Sequence, residues 1–239
     1  MKRRDFSLLA GATTAAAGTL LCGAALAQTK TKVKPEAVKP EAAPEVIKSE
    51  PIKIVAGTDY VQLDPPAPVE APAGKVEVLE FFWYNCPHCN AFEPQLASWI
   101  KTLPKDIAFR RVPIAFREDF VPQQRLYFAL EAMGLVEKLH AKVFAAIHVE
   151  KLDLSKVAAI TDWVVKQGVD KSKFNEQYNS FSVATKASKA TQLQNAYKVE
   201  GVPALGVAGR FYTDGSVAKG MDRAVKVVES LAAAVRSGK

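Results

Sequence analysis

A Cys-Pro-His-Cys segment, Cys86–Cys89, constrains this chain more than any other feature. The run Val76–Trp83 before it is almost continuously apolar and aromatic, which indicates a buried β-strand. After it, apolar residues recur with a helical spacing from Asn90 to Leu103. The two thiols are therefore predicted to lie at a strand-to-helix junction, within one helical turn of each other.

The first 27 residues have the organisation of a bacterial export signal. Lys2–Arg4 form a positively charged start, Leu8–Leu26 carries no charge, and Ala25–Ala27 matches an A-x-A cleavage site. The Arg pair also resembles a twin-arginine signal, so Sec export and twin-arginine export both stay open. We therefore expect residues 1–27 to be removed together with Cys22, and the mature protein to lie in the periplasm.

The two remaining cysteines, Cys86 and Cys89, suit redox chemistry better than stabilisation of the fold. A disulfide across two intervening residues closes a very small loop, so it removes little entropy from the unfolded chain. A structural zinc site needs four ligands, but the sequence adds only His88, His140 and His148 and no second thiol pair. The pair therefore indicates a reversible disulfide, and His140 and His148 are expected on a helix surface or satisfied in the core.

Composition argues against several other kinds of protein. The formal net charge is +7, but the Lys and Arg residues are spread along the chain, which does not indicate nucleic-acid binding. Residues 28–53 repeat Lys, Pro, Glu and Ala and cannot bury enough apolar surface to fold, which predicts an extended tether. After residue 27, no stretch is long and apolar enough to span a bilayer.

The rest of the sequence predicts an α/β protein with an all-helical insertion. Residues 54–117 contain strand-like runs on both sides of the Cys pair. Residues 118–195 carry helical spacing in nearly every segment, and Asp170 is expected to N-cap one of these helices. Residues 196–239 return to strand character at Ala204–Val207 and end in a helix.

The position of Cys86 at a helix start predicts an unusual thiol. Unpaired backbone N–H groups and the helix dipole favour an anion there, so we expect the pKa of Cys86 to be lowered. Cys89 lies one turn further and would resolve a mixed disulfide. An imidazole at His88 would favour the Cys86 thiolate further, and Pro87 suits the first helical position.

Glu80 is the carboxylate that the sequence singles out. Alternation along the strand places it on the face that carries Val76, Val78 and Phe82, so we expect it to be buried. Burial raises the pKa of a carboxyl group, which would let Glu80 relay a proton for Cys89. Two alternatives remain, an ion pair with a nearby basic group and exposure at the sheet edge. Glu77, on the opposite face, is expected to be solvated.

Two segments resemble a known family. Glu80–Cys89 is similar to the active-site segment of the DsbA family of periplasmic thiol:disulfide oxidoreductases, in the thioredoxin superfamily. Val199–Ala204 resembles the second signature of that family, a Val-cis-Pro loop that faces the disulfide. The resemblance covers about residues 54–236 and implies a thioredoxin fold with an inserted helical domain. It also implies that Val202 and Pro203 pair with the backbone of a bound substrate.

The same resemblance implies roles for the residues around the disulfide. Cys86 would be the nucleophile, Cys89 the resolving thiol and His88 the group that stabilises the Cys86 thiolate. Pro87 belongs to the same motif, and Glu80 matches the buried acidic residue of the family. Arg110 and Arg111 lie near the strand that follows, but the sequence does not decide which of them would pair with Glu80.

The expected function follows from these roles. The Cys86–Cys89 disulfide would pass to reduced, unfolded, newly exported proteins through a mixed disulfide at Cys86. A DsbB-type quinone-linked membrane protein would reoxidise the enzyme, which is expected to be a monomer without metal, nucleotide or flavin. A disulfide isomerase or reductase is the first alternative, and a chaperone-like binding module for exported proteins is the second.

Overall fold

The computed structural model describes residues 52–238. The predicted signal peptide, with Cys22, and residues 28–51 of the predicted tether lie outside the described residues. Within residues 52–238, no helix has the length and apolar character needed to cross a membrane.

Five strands form one mixed sheet in the described part of the chain, with the spatial order β1-β5-β4-β2-β3. The strands are β1 Val61–Gln62, β2 Val76–Phe82, β3 Ile107–Pro113, β4 Ala204–Val207 and β5 Phe211–Asp214. β2 pairs parallel with β3 and antiparallel with β4, and β5 pairs antiparallel with both β4 and β1. β2 therefore has a hydrogen-bonded neighbour on each side, and all seven of its residues are buried.

Seven α-helices accompany the sheet between residues 52 and 238. They are α1 Pro87–Ile100, α2 Val121–Ala132, α3 Val136–His148, α4 Val157–Lys166, α5 Lys171–Tyr178, α6 Phe181–Ala196 and α7 Met221–Arg236. Helices α2 to α6 follow one another between β3 and β4, after a short 3-10 helix at Glu118–Phe120. This continuous run agrees with the helical pattern in the sequence, while the exact limits of the inserted domain stay a prediction.

The apolar residues form two clusters that meet the two faces of β2. Val76 and Val78 pack with apolar residues of α1 and α7, and Leu79 and Phe81, which point the other way, belong to the cluster that includes the helices α2 to α6. Phe82, the last residue of β2, also joins this second cluster. The end of β2 that precedes the cysteines therefore packs against the helices α2 to α6.

The helix after the cysteines begins at Pro87, the residue that the sequence predicts at the first helical position, where the missing N–H of proline is no loss. The first strand is short, Val61–Gln62, and the segment before it makes a turn at Gly57, which has φ +78°. The strand Ala204–Val207 was predicted with the correct bounds.

Gly206 lets β4 pass the buried ring of Tyr197. A methyl group at residue 206 would lie under 3.0 Å from two ring carbons of Tyr197. The ring cannot retreat easily, because it packs against Phe81 and its hydroxyl accepts a hydrogen bond from the Gly209 N–H at 2.9 Å.

We therefore expect Gly206→Ala to destabilise the protein by about 1–3 kcal/mol through overpacking. Urea unfolding followed by circular dichroism measures the change. Gly201→Ala is the matched control, because a methyl group there meets nothing within 4 Å. An equal loss of stability in both variants would contradict the packing explanation.

Candidate active site

Cys86 occupies the N-cap position of α1. Its backbone is extended, with φ −81° and ψ 118°, and Pro87 follows at the first helical position. The Cys86 N–H donates to the Trp83 carbonyl oxygen at 3.0 Å, and the Asn90 N–H donates to the Cys86 carbonyl oxygen at 3.1 Å. The first sulfur therefore lies at the helix N-terminus, as the sequence predicts.

The two thiols differ in their surroundings and in their affinity for a proton. Cys86 is 8% exposed, whereas Cys89 is fully buried. A hydrogen bond from the Cys89 thiol is the largest cause that lowers the pKa of Cys86, to about 6; burial opposes it, and the backbone N–H groups of Cys89 and His88 add to it. Burial, and then the contact with Cys86, raises the pKa of Cys89. Near neutral pH, Cys86 is the thiolate and Cys89 the thiol.

His88 and the Val202–Pro203 loop both lie near this sulfur. The His88 side chain is exposed, and its charge lowers the pKa of Cys86 less than the hydrogen bonds do. The peptide bond between Val202 and Pro203 is cis, as the resemblance implies. Cys86 Sγ lies 3.3 Å from the Val202 carbonyl oxygen, which accepts a hydrogen bond from the thiol when Cys86 is protonated. The fold thus brings together two segments that are 116 residues apart in sequence.

Glu80 is buried beneath the cysteines, and its basic partner is Arg111. The parallel register of β2 and β3 places Arg111 directly opposite Glu80, and Arg111 Nε donates to Glu80 Oε2 at 3.1 Å. Burial raises the pKa of Glu80 to about 8; the charge of Arg111 opposes this shift, and Glu93 adds to it. The expected burial of Glu80 and the contact with a basic group are therefore both present, Glu80 is not exposed at the sheet edge, and the proton relay stays a prediction.

Glu93 and His140 complete this cluster of ionisable groups, and the sequence indicated a functional role for neither of them. Glu93 lies on the buried side of α1, where its Oε1 accepts from Arg111 Nη2 at 2.7 Å. His140 of α3 is buried, with Nε2 3.4 Å from Glu93 Oε2. Burial opposes a charge on Glu93, but its contacts with His140 and Arg111 lower its pKa below the usual 4.5. A sequence signal existed, since Glu93 lies one helical turn after Cys89 and next to the buried Phe92.

The prediction that Glu77 is solvated was wrong. Glu77 is only 2% exposed, and its Oε1 accepts from the Glu70 backbone N–H at 3.0 Å and from Arg110 Nη2 at 3.2 Å. The reason is that helices or loops cover both faces of β2, so even the residue facing away from Glu80 lies inside the protein. Arg110 and Arg111 thus each pair with one carboxylate of β2, and these two carboxylates lie on opposite faces of the strand.

The other two histidines make hydrogen bonds in or near the core, as the sequence predicts. His140 Nδ1 and the Tyr84 hydroxyl are 2.9 Å apart, and His148 Nε2 lies 2.8 Å from the Tyr84 carbonyl oxygen. Among residues 52–238, no group of three or more metal-ligating side chains lies close enough to hold an ion.

Comparison with known proteins decides the family. The model of the DSBA-like thioredoxin domain family matches residues 77–232. This chain belongs to that family. A thiol:disulfide interchange protein DsbA from Burkholderia cepacia is 41% identical over 189 residues, which cover 79% of this chain and 89% of the relative. One from Bordetella parapertussis is 46% identical over 174 residues, which cover 72% and 82%.

A solved structure extends the likeness to the fold. The crystal structure of DsbA from Pseudomonas aeruginosa matches with a TM-score of 0.74 at 39% identity, over 77% of this chain and 96% of that one. The predicted thioredoxin fold with a helical insertion is therefore confirmed as the DsbA-type fold. The protein is a thiol:disulfide oxidoreductase.

Two pH measurements test the thiol geometry. In the reduced protein, we expect the thiolate absorbance near 240 nm to appear with a midpoint at about pH 6 and to be absent from Cys86→Ser.

The second measurement is the pH dependence of stability. The pKa of Cys86 in the folded protein lies below the ordinary value of 9.0, so ionisation of Cys86 stabilises the reduced protein fully above about pH 9. That stability is lost as the pH falls through about 6. The oxidised protein, which has no thiol, should lack this dependence in urea unfolding.

Proposed function

We propose that the protein donates the Cys86–Cys89 disulfide to reduced, newly exported proteins. The observation that carries this proposal is the Cys86 sulfur at the N-terminus of α1, with its pKa lowered to about 6. Stabilisation of the thiolate stabilises the reduced enzyme, and an enzyme that prefers its reduced form oxidises other dithiols.

The exchange proceeds in two displacements. A substrate thiolate attacks Cys86 Sγ, the bond to Cys89 breaks, and Cys89 leaves with the electron pair and takes up a proton. The second substrate thiolate then attacks the substrate sulfur of the mixed disulfide, and Cys86 leaves as a thiolate. The substrate loses two electrons, the enzyme gains two, and the raised pKa of Cys89 ensures that this sulfur is protonated at the end.

Glu80 supplies the proton for Cys89 in this mechanism and accepts it when the enzyme is reoxidised. A carboxyl group with a pKa of about 8 holds a proton near neutral pH and releases it within the physiological range. The charges of Glu80 and of the Cys89 thiolate repel each other, since Glu80 contributes to the raised pKa of Cys89. Because the two charges repel, the pair retains one proton, which lies on Glu80 when Cys89 is the leaving thiolate and passes to Cys89 as Glu80 ionises; the reverse transfer accompanies reoxidation.

The remaining roles complete the proposal. Val202 and Pro203 would pair with the backbone of the substrate beside Cys86, because their loop already contacts the sulfur. His88, exposed next to Cys86, would add its charge to the stabilisation of the thiolate, and Pro87 would fix the turn. The substrates are unfolded exported proteins in the periplasm, and a DsbB-type membrane protein would restore the disulfide without any metal or organic cofactor in this chain.

The redox equilibrium with glutathione tests the direction of the reaction. We expect the Cys86–Cys89 pair to be half reduced at a potential more oxidising than that of the glutathione couple. Near neutral pH, one proton should accompany the two electrons, so the midpoint should change by about 30 mV per pH unit. Below about pH 6 it should change by about 60 mV per pH unit, because Cys86 then also takes a proton.

A midpoint at or below that of glutathione would favour the reductase or isomerase alternative. The chaperone-like alternative makes a different prediction, namely that Cys86→Ala retains the function in cells. Complementation of a strain that lacks its own periplasmic oxidase separates this last alternative from both redox activities.

Glu80→Gln tests the proton transfer. The rate of exchange with glutathione should lose the pH dependence that is centred near 8 in the wild-type protein, while the titration of Cys86 persists. Glu77→Gln is the matched control, since Glu77 lies on the same strand, is equally buried and is also paired with an arginine. The relay is refuted if Glu80→Gln and Glu77→Gln give the same pH profile as the wild type.

A further inference from the structure

Tyr84, two residues before Cys86, is held by two histidines of α3. The hydroxyl of Tyr84 meets His140 Nδ1 at 2.9 Å, and its backbone carbonyl oxygen meets His148 Nε2 at 2.8 Å. The two histidines are eight residues apart, close to two helical turns, so they share one face of α3. The helical segment therefore contacts the redox segment through defined hydrogen bonds as well as through apolar packing.

The surroundings of His140 select one tautomer. Its Nε2 lies 3.4 Å from Oε2 of Glu93, and neither atom has any other hydrogen-bond partner among residues 52–238. A bare ring nitrogen facing a carboxylate would be repelled, so the proton belongs on Nε2, and Nδ1 accepts from the Tyr84 hydroxyl. Arg111 and the ring of Tyr127 are the other ionisable groups that face this imidazole. Burial is the largest cause that lowers the pKa of His140; the contact with Glu93 opposes it and the charge of Arg111 adds to it, so the ring is neutral near pH 7.

We propose that His140 is a positioning residue that keeps Glu80 able to exchange a proton. The Nε2–H of His140 faces Glu93 and favours its ionised form. The ionised Glu93 binds Arg111, and its negative charge partly offsets the effect of the Arg111 charge on Glu80. The inference rests on the proposed role of Glu80 in thiol exchange, and it adds the residue that sets the proton affinity of Glu80 from a distance.

Glu80 and Glu93 share the single guanidinium group of Arg111. Arg111 donates to Glu93 Oε1 at 2.7 Å and to Glu80 Oε2 at 3.1 Å, so the shorter contact goes to Glu93. The contact with His140 helps to keep Glu93 ionised and oriented. Without it, Glu93 protonates or turns away more easily, and Arg111 pairs with Glu80 alone. Glu80 would then stay charged to lower pH and exchange protons less well near neutrality.

The test follows one step in which Cys86 cannot titrate. Reduced protein is mixed with saturating glutathione disulfide, which forms a mixed disulfide at Cys86 and releases one glutathione. The sulfur of Cys89 then attacks Cys86 Sγ, the bond to the second glutathione breaks, and that glutathione leaves as a thiolate while the proton of Cys89 passes to Glu80. The plateau rate of this intramolecular step is measured against pH.

Two substitutions at residue 140 distinguish the contribution of the ring nitrogen Nδ1 from that of Nε2. The amide of asparagine reaches the position of Nδ1 and can still accept from Tyr84, whereas the amide of glutamine reaches the position of Nε2 and can still donate to Glu93. We expect His140→Asn to lower the midpoint of the pH profile by about one unit from its wild-type value near 8. His140→Gln should keep the wild-type midpoint, even though it loses the hydrogen bond to Tyr84.

Equal midpoints in His140→Asn and His140→Gln would overturn the proposal, whether both are shifted or neither is. His148→Gln is a further control, because it disturbs the other contact to Tyr84 without touching Glu93 and should leave the midpoint unchanged. Urea unfolding of each variant separates a loss of stability from a change in the pH profile.

A measurement on the wild-type protein keeps the test independent of folding. The ¹⁵N shifts of the His140 ring should report a neutral ring protonated at Nε2 around pH 7, and protonation at Nδ1 would overturn the proposal.

Failure of the proposed role of His140 can be distinguished from failure of the proposed function. A reducing potential against glutathione would refute disulfide donation without altering the His140 result, and an unchanged profile in Glu80→Gln would remove the relay itself.

Discussion

The buried charge of Arg111 is the interaction on which the active site depends. Burial opposes this charge, but Glu80 and Glu93 outweigh that effect and raise the pKa of Arg111 above its ordinary value. The guanidinium group thereby joins β2, β3 and the active-site helix α1 at a point beneath the cysteines. Loss of the arginine would leave two carboxylates buried without a counter-charge, which is far more costly than loss of an exposed ion pair. Arg111 thereby connects α1 to the sheet, and its charge limits how far burial raises the pKa of Glu80.

The sequence was sufficient wherever a feature is determined locally. The spacing of apolar residues predicts the strand before the cysteines, the helix after them and the helices of residues 118–195. This spacing is a property of each segment by itself and does not depend on what the segment packs against. The N-cap at Asp170 is of the same kind, and its side chain accepts from the Lys173 N–H at 2.8 Å. The pairing of Cys86 with the Val202–Pro203 loop is not local, and only the resemblance to a family indicated it.

The features that the sequence could not supply depend on the register of β3 and on the packing of helices. Whether Arg110 or Arg111 meets Glu80 depends on a one-residue register, because a shift by one residue exchanges the two faces of a strand. The burial of Glu77 requires knowledge that β2 is covered on both faces. Glu93 of α1 contacts His140 of α3, which lies 47 residues later in the sequence. No local sequence pattern predicts a contact between residues so far apart in the chain.

The N-cap of α1 has a consequence for the stability of that helix. The uncharged Cys86 side chain does not cap α1 as an aspartate or serine would, although the N–H groups of His88 and Cys89 favour its negative charge, and the first turn of α1 contains no acidic residue. The N–H groups at this end therefore have the Cys86 sulfur as their nearby acceptor, and that sulfur is an anion only after reduction. Reduction supplies the negative charge that an aspartate would supply at an ordinary helix start. The N-terminus of α1 is thus capped by a negative charge only in the reduced protein. The backbone amides of His88 and Cys89 should therefore exchange their hydrogens more slowly in the reduced form.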